Sequence, residues 1–140
     1  MRKATGFFVT LALAALLVFA VSGAAFARGG GGGKGGGGTL TLKMVVDANG
    51  DTLPNWGDKI SFNLTTSATK PFVSLNCYQG TNWVYAASVG YFPAYPWAKE
   101  FTLSATSWPG GGADCTAKLY TTRDGSRINT LATLPVHVNA

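Results

Sequence analysis

Apolar and polar residues alternate in short runs from Thr39 to Val138, and nothing in that interval repeats apolar residues at helical spacing. Residues 39–46 (TLTLKMVV) predict a first strand with Leu40, Leu42 and Met44 on one face. Residues 59–66 (KISFNLTT) alternate the same way, with Ile60, Phe62 and Leu64 inward. Lys70-Pro71 interrupts the chain, and residues 72–79 resume it with Val73, Leu75 and Cys77 on one face. Gln79-Gly80-Thr81-Asn82 has the composition of a hairpin turn leading into residues 83–89. Residues 90–97 (GYFPAYPW) hold too much proline for a central strand. Residues 100–107 alternate again through Phe101 and Leu103, and Trp108-Pro109-Gly110-Gly111-Gly112 ends the run. Residues 114–122 turn Cys115, Ala117 and Leu119 inward, and Arg123-Asp124-Gly125-Ser126 closes a hairpin into a last strand at 129–138. The pattern therefore predicts an all-β domain, a single sandwich of about seven strands.

Upstream of it the pattern changes character. Arg2 and Lys3 precede an uncharged apolar run over residues 7–21, and Ala25-Phe26-Ala27 offers small residues where a signal peptidase cuts. Residues 1–27 are therefore expected to be a signal peptide with a helical core, exporting the chain. The same residues also allow a retained membrane anchor, because positions 4–27 carry no charge and about 20 apolar residues span a bilayer. Residues 28–38 follow as a flexible linker in which nine of eleven residues are glycine. Residues 39–140 remain, enough for one compact domain.

Charge narrows the field of partners. The chain's formal net charge of +5 includes Arg2 and Lys3 of the signal and Arg28 and Lys34 of the glycine tract. The domain itself holds seven basic and six acidic residues, with no basic stripe along the sequence, so nucleic acid is not an expected partner. Cys77 and Cys115 lie 38 residues apart in alternating segments. In an exported chain such a pair predicts one disulfide, pinned through the sandwich from strands a core's width apart. With no Cys-x-x-Cys and no adjacent basic group, the bridge reads as structural.

Gly57-Asp58 opening the segment Ile60-Ser61-Phe62-Asn63-Leu64 resembles the second strand of many bacterial secreted immunoglobulin-like domains. Gly111-Gly112-Ala113-Asp114-Cys115-Thr116-Ala117 resembles the loop and F strand of the same superfamily. The resemblance implies an immunoglobulin-like sandwich over residues 39–140. Two departures separate it from antibody domains: Ala113 stands where they commonly carry a tyrosine, and Trp83 follows Cys77 by only six residues. By strand count Cys77 falls on the third strand, not the second. The bridge then has a second possible course, between neighbouring strands of one sheet.

Three groups of side chains are candidates for chemistry. Asp47, Asn49 and Asp51 follow the alternate spacing of oxygen ligands in a calcium loop and Asp58 takes its twelfth position, yet Thr52 replaces its glycine and Asp58 its glutamate. An Asn-Gly turn with solvated carboxylates explains the same residues, and neither metal nor cofactor is expected. Tyr91, Phe92, Tyr95 and Trp97, with Trp56, Trp83 and Trp108 elsewhere, are the best ligand-binding candidates. They serve either as cover for the core or as an exposed patch. Catalysis finds little: His137 lies on the last strand, Glu100 reads as surface charge beside Lys99, and Asp114 has no evident acidic partner. The expectation is a secreted or cell-surface, non-enzymatic module for binding, adhesion or structure, whose partner is a protein or polysaccharide at the cell surface. The alternative is a small carbohydrate-binding module using the 91–97 loop. A membrane contact enters only if the N-terminal segment is retained.

Overall fold

A computed structural model of the chain describes residues 37–140, so the expected signal peptide and nearly all of the glycine linker lie outside the described residues. The alternating runs become seven strands: β1 (Gly38–Val46), β2 (Lys59–Thr66), β3 (Phe72–Gln79), β4 (Asn82–Gly90), β5 (Phe101–Thr102), β6 (Ala113–Arg123) and β7 (Arg127–Val138). They form two antiparallel sheets, β1-β2-β5 and β4-β3-β6-β7. The described residues contain no helix.

The sheets face each other through the residues that the alternation turns inward. Leu40, Ile60 and Phe62 meet Val73, Leu75, Ala117, Leu119, Val136 and Val138 in one buried core. Phe62 and Phe101 pack edge to face at 5.6 Å, and buried Trp108 closes one end against Tyr85. Burying side chains of this size contributes about 1.5–3 kcal/mol each. This end, called the upper end, also holds the β1–β2 loop, the β3–β4 hairpin and the C-terminus. Backbone bonds from Trp56 N–H to Asn139 O and from Asn139 N–H to Pro54 O hold it together. The lower end holds the entry of the chain at Gly38, the β2–β3 loop, the start of the β4–β5 loop and the β6–β7 hairpin. At Gly38 a Cβ would stand 2.7 Å from Leu119 Cδ2, so glycine lets β1 start one residue earlier than expected, against the core.

Two expectations change. The strand predicted over residues 100–107 shrinks to Phe101–Thr102. Leu103 N–H turns away to donate to Asp58 O, and Trp108 N–H bonds Ala105 O in a turn that drives the indole into the core. Phe101 and Leu103 are buried as the alternation required. The disulfide does form, but not across the core. Cys77 and Cys115 are register partners on adjacent strands β3 and β6, with Cα atoms 3.9 Å apart. The bridge lies within one sheet, the course that the strand count allowed.

Candidate functional site

Side chains of β3 that do not enter the core stand on the open face of the four-stranded sheet, and Phe72 begins that row. Its register partner on β6 is Tyr120, and the two rings stack at 5.7 Å with an interplanar angle of 25°. Tyr120 Oη reaches Ser88 Oγ on β4 at 2.7 Å, so the ring leans across β3. The 91–97 loop folds back onto the same place. Phe92 meets Phe72 at 5.5 Å, Tyr95 meets Phe72 at 6.4 Å, and Trp97 meets Tyr95 at 5.2 Å. Gly90 makes this fold-back possible, since a Cβ there would collide with the Phe92 and Tyr95 rings.

The result is an aromatic strip across the lower end of the sheet, running Trp97, Tyr95, Phe72, Tyr120. On the far side of Tyr120 it opens into a depression of about 330 Å³ lined by Ser74, Asn76, Lys118, Ile128 and Thr130. Its ends are wet: Trp97 is 71% exposed and Ile128 67% exposed. Phe92 and Tyr95 are half-buried. Their rings stand at 72° to each other, and Tyr95 at 71° to Trp97, so the loop is not a flat stacking platform.

Tyr91 takes a different role from its neighbours. It crosses to the other sheet, where Phe62 N–H donates to its Oη at 3.1 Å and the phenol donates to Lys99 O at 3.2 Å. Ser61 Oγ lies 3.2 Å away. The hydroxyl thus serves the edge of β2 that the two-residue β5 leaves unpaired. Burial raises the Tyr91 pKa above the usual phenol value, partly offset by the bonds to Ser61 and Phe62. Burial alone raises that of Tyr85.

The remaining tryptophans belong to the upper end. Trp83, 60% exposed, pairs in register with exposed Tyr78 at the start of β4, most of a strand length from Gly90. Trp56 donates from Nε1 to Trp108 O, and Trp108 from Nε1 to Gly111 O. The tryptophans therefore divide between the two ends and do not make one surface.

The acidic β1–β2 loop folds on itself. Asp47 accepts the N–H groups of Gly50 and Thr52, both at 2.7 Å. Asp58, 1% exposed, accepts those of Ala48 and Asn55 at 3.0 and 2.9 Å. Asp51 accepts from Leu53 N–H and from the amides of Asn49 and Asn55, and the Leu53 bond holds its carboxyl below the usual range. All the carboxylate oxygens of Asp47, Asp51 and Asp58 therefore accept an N–H from this loop, with Asn49 as a donor among them. No group of three or more His, Cys, Asp or Glu suited to a metal ion occurs among the described residues.

Sequence spacing gave Asp114 no partner, and the register supplies one. Asp114 and His137 face each other on β6 and β7, with Nδ1 and Oδ1 2.7 Å apart on the open face. Glu100 lies instead beside Lys59 on the other sheet, at 3.8 Å. Asp114 and His137 thus stand on the four-stranded sheet, while Glu100 is paired at the other. Phe72, Tyr120 and Ile128 escaped the sequence reading. An outward-facing phenylalanine at the head of an inward-alternating strand was their signal, but only the register joins Phe72 to Tyr120.

Fold and site define a two-sheet, disulfide-bridged β-sandwich with an aromatic strip on its larger sheet. No protein-family model, curated protein or solved structure matches the chain.

Proposed function

We propose that this chain is an exported, non-enzymatic immunoglobulin-like module that binds a protein or polysaccharide at a cell surface through the strip from Trp97 to Ile128. The immunoglobulin-like reading draws support from the strand order. The β1-β2-β5 and β4-β3-β6-β7 sheets correspond to the A-B-E and C-F-G strands of that sandwich, with the fourth strand moved beside the third. The disulfide is compatible with an extracellular location. The observation that carries the binding role is the continuity of the strip. Four aromatic rings, each touching the next, end at a strongly exposed tryptophan on one side and an open depression on the other. A sandwich that needed the 91–97 loop only as cover would have no use for Trp97 in solvent.

A carbohydrate ligand is the second reading. The depression beside Tyr120 is lined by hydroxyl and amide groups of Ser74, Asn76 and Thr130, groups that exchange hydrogen bonds with sugar hydroxyls. Its aromatic contact falls to Tyr120, because the Tyr91 hydroxyl is committed inside the fold. Affinity gels and a glycan array, run with wild type and with Trp97→Ala and Ile128→Ser, test both readings. Retention by a polysaccharide that both variants lose supports the carbohydrate reading. Capture of a surface protein with the same variant pattern supports the first. Binding that neither variant weakens overturns the strip as the site.

A further inference from the structure

The domain is almost neutral, but its charges separate by end. Antiparallel register puts Lys70, Lys118, Arg123 and Arg127 toward the lower end, where Asp124 is the one carboxylate among the described residues. Asp47, Asp51, Asp58 and Asp114 lie at the upper end with Glu100 and its partner Lys59, and Lys43 and Lys99 also sit in that half, at the level of Ser61, so the balance is −2 there against +3 at the lower end. The β3–β6 ladder stops at Phe72 and Tyr120, while β6–β7 continues to Arg123 and Arg127, so this hairpin projects about 10 Å past β3. At its tip the two arginines are direct cross-strand partners, a like-charge arrangement that disfavours the hairpin. Among the described residues the lysine–carboxylate pair is Lys59–Glu100, Asp114 is hydrogen-bonded to His137, and neither arginine pairs with a carboxylate. Exposed Ile128 follows Arg127 on β7, and exposed Trp97 reaches the same end of the sheet through Tyr95 and Phe72.

The rest of the chain joins at this same end. It enters at Gly38, and upstream the sequence adds Lys34, Arg28 and an uncharged apolar run. Cations together with an exposed tryptophan and isoleucine match the boundary between anionic headgroups and acyl chains. We infer that the lower end of the sandwich, through Lys70, Arg123, Arg127, Trp97 and Ile128, docks on an anionic lipid surface. The domain then stands with its acidic loop pointing away from the bilayer. The inference goes beyond the binding-module reading, adding a lipid surface to the protein or polysaccharide partner proposed there.

The full chain, reconstituted into vesicles of phosphatidylcholine alone or mixed with phosphatidylglycerol, provides the test. Acrylamide quenching of Trp97, read as the difference between wild type and Trp97→Phe, reports docking. Shielding is expected with phosphatidylglycerol, absent on the neutral vesicles, and lost at high salt. Each basic residue at the surface is worth about fivefold, so Arg123→Gln with Arg127→Gln should weaken docking about 25-fold. Lys70→Gln, in a loop outside the hairpin, should weaken it about fivefold and guards against a misfolded hairpin. Equal shielding on both lipids, or shielding unmoved by these variants, overturns the inference. So does shielding that grows with protein density and ignores lipid charge, which would mark head-to-tail association with the acidic end of a second copy. An affinity screen in which Trp97→Ala loses a polymer or protein partner while vesicles give no shielding overturns lipid docking alone and leaves the binding module standing.

Discussion

Tyr91 Oη accepts the Phe62 N–H at 3.1 Å, joining the two sheets where a fifth strand of ordinary length would have paired with β2. Because β5 begins only at Phe101, the partner of Ile60, the Phe62 N–H has no strand partner on that side and depends on a side chain. Tyr91→Phe keeps the ring and removes the acceptor, leaving a part-buried donor unsatisfied. The expected loss is about 1–3 kcal/mol in urea unfolding. Tyr120→Phe, which removes an exposed bond to Ser88, should cost under about 1 kcal/mol. Equal losses would mean that Tyr91 does not serve the β2 edge.

The same burial makes the domain sensitive to alkali. Tyr85 and Tyr91 both have pKa values raised by burial, so the folded state holds the neutral phenol more firmly than the unfolded chain does. That stability is whole below the ordinary phenol value of about 10 and is lost as pH climbs through the raised folded values. Melting temperature should therefore fall from about pH 10 upward, with the pH dependence smaller in Tyr91→Phe. A melting temperature that stays level across this range would contradict the burial of both phenols.

The disulfide links strands that already pair along their length, so it is not needed to set the fold. Its effect falls on the unfolded chain, where it closes a loop of 38 residues. In the chain-entropy account such a loop is worth about 4 kcal/mol. Cys77→Ser with Cys115→Ser should lower the urea midpoint accordingly, while the amide spectrum of β3 and β6 at low denaturant stays native-like. Loss of that native spectrum would show that the bridge is needed to form the sheet.

Most of the fold was legible because alternation is local. Which residues face inward on β1, β2, β3 and β6 follows from period two and the turn residues between runs. The fifth strand was overestimated because Phe101 and Leu103 are buried whether or not the backbone pairs, and alternation records burial, not pairing. The disulfide's neighbours and the Asp114–His137 pair depend on register between strands far apart in sequence. So does the lengthwise separation of charge: Lys70 and Arg123 are 53 positions apart along the chain and come to the same end only because β3 and β6 run antiparallel. The strip was half visible, since its loop is aromatic in composition, but its sheet half lies on outward positions that the core pattern passes over.

The acidic loop should be indifferent to metal. With every carboxylate oxygen of Asp47, Asp51 and Asp58 accepting an N–H, calcium would have to displace bonds that hold the loop. Adding calcium or a chelator should leave the melting temperature unchanged. Asp58→Asn, in contrast, should cost about 1–3 kcal/mol, because an amide sets an N–H₂ against one of the two backbone donors. A rise in melting temperature with calcium, abolished by Asp58→Asn, would restore the ligand reading of these residues.

Gly90 offers a way to separate the aromatic strip from the sandwich beneath it. It does not carry a positive φ, so alanine imposes no backbone strain there, and its effect is steric alone. The added methyl would occupy space held by the Phe92 and Tyr95 rings. The 91–97 loop must then lift from Phe72, carrying Trp97 with it, at a cost of about 1–3 kcal/mol. The core of Leu75, Ala117, Trp108 and Val138 lies apart from this contact. Gly90→Ala should accordingly change the near-ultraviolet circular dichroism of the aromatic rings and abolish binding through the strip, while the domain still unfolds in one cooperative step. Binding that survives in a variant whose loop has moved would mean that the partner reads the sheet face and not the loop.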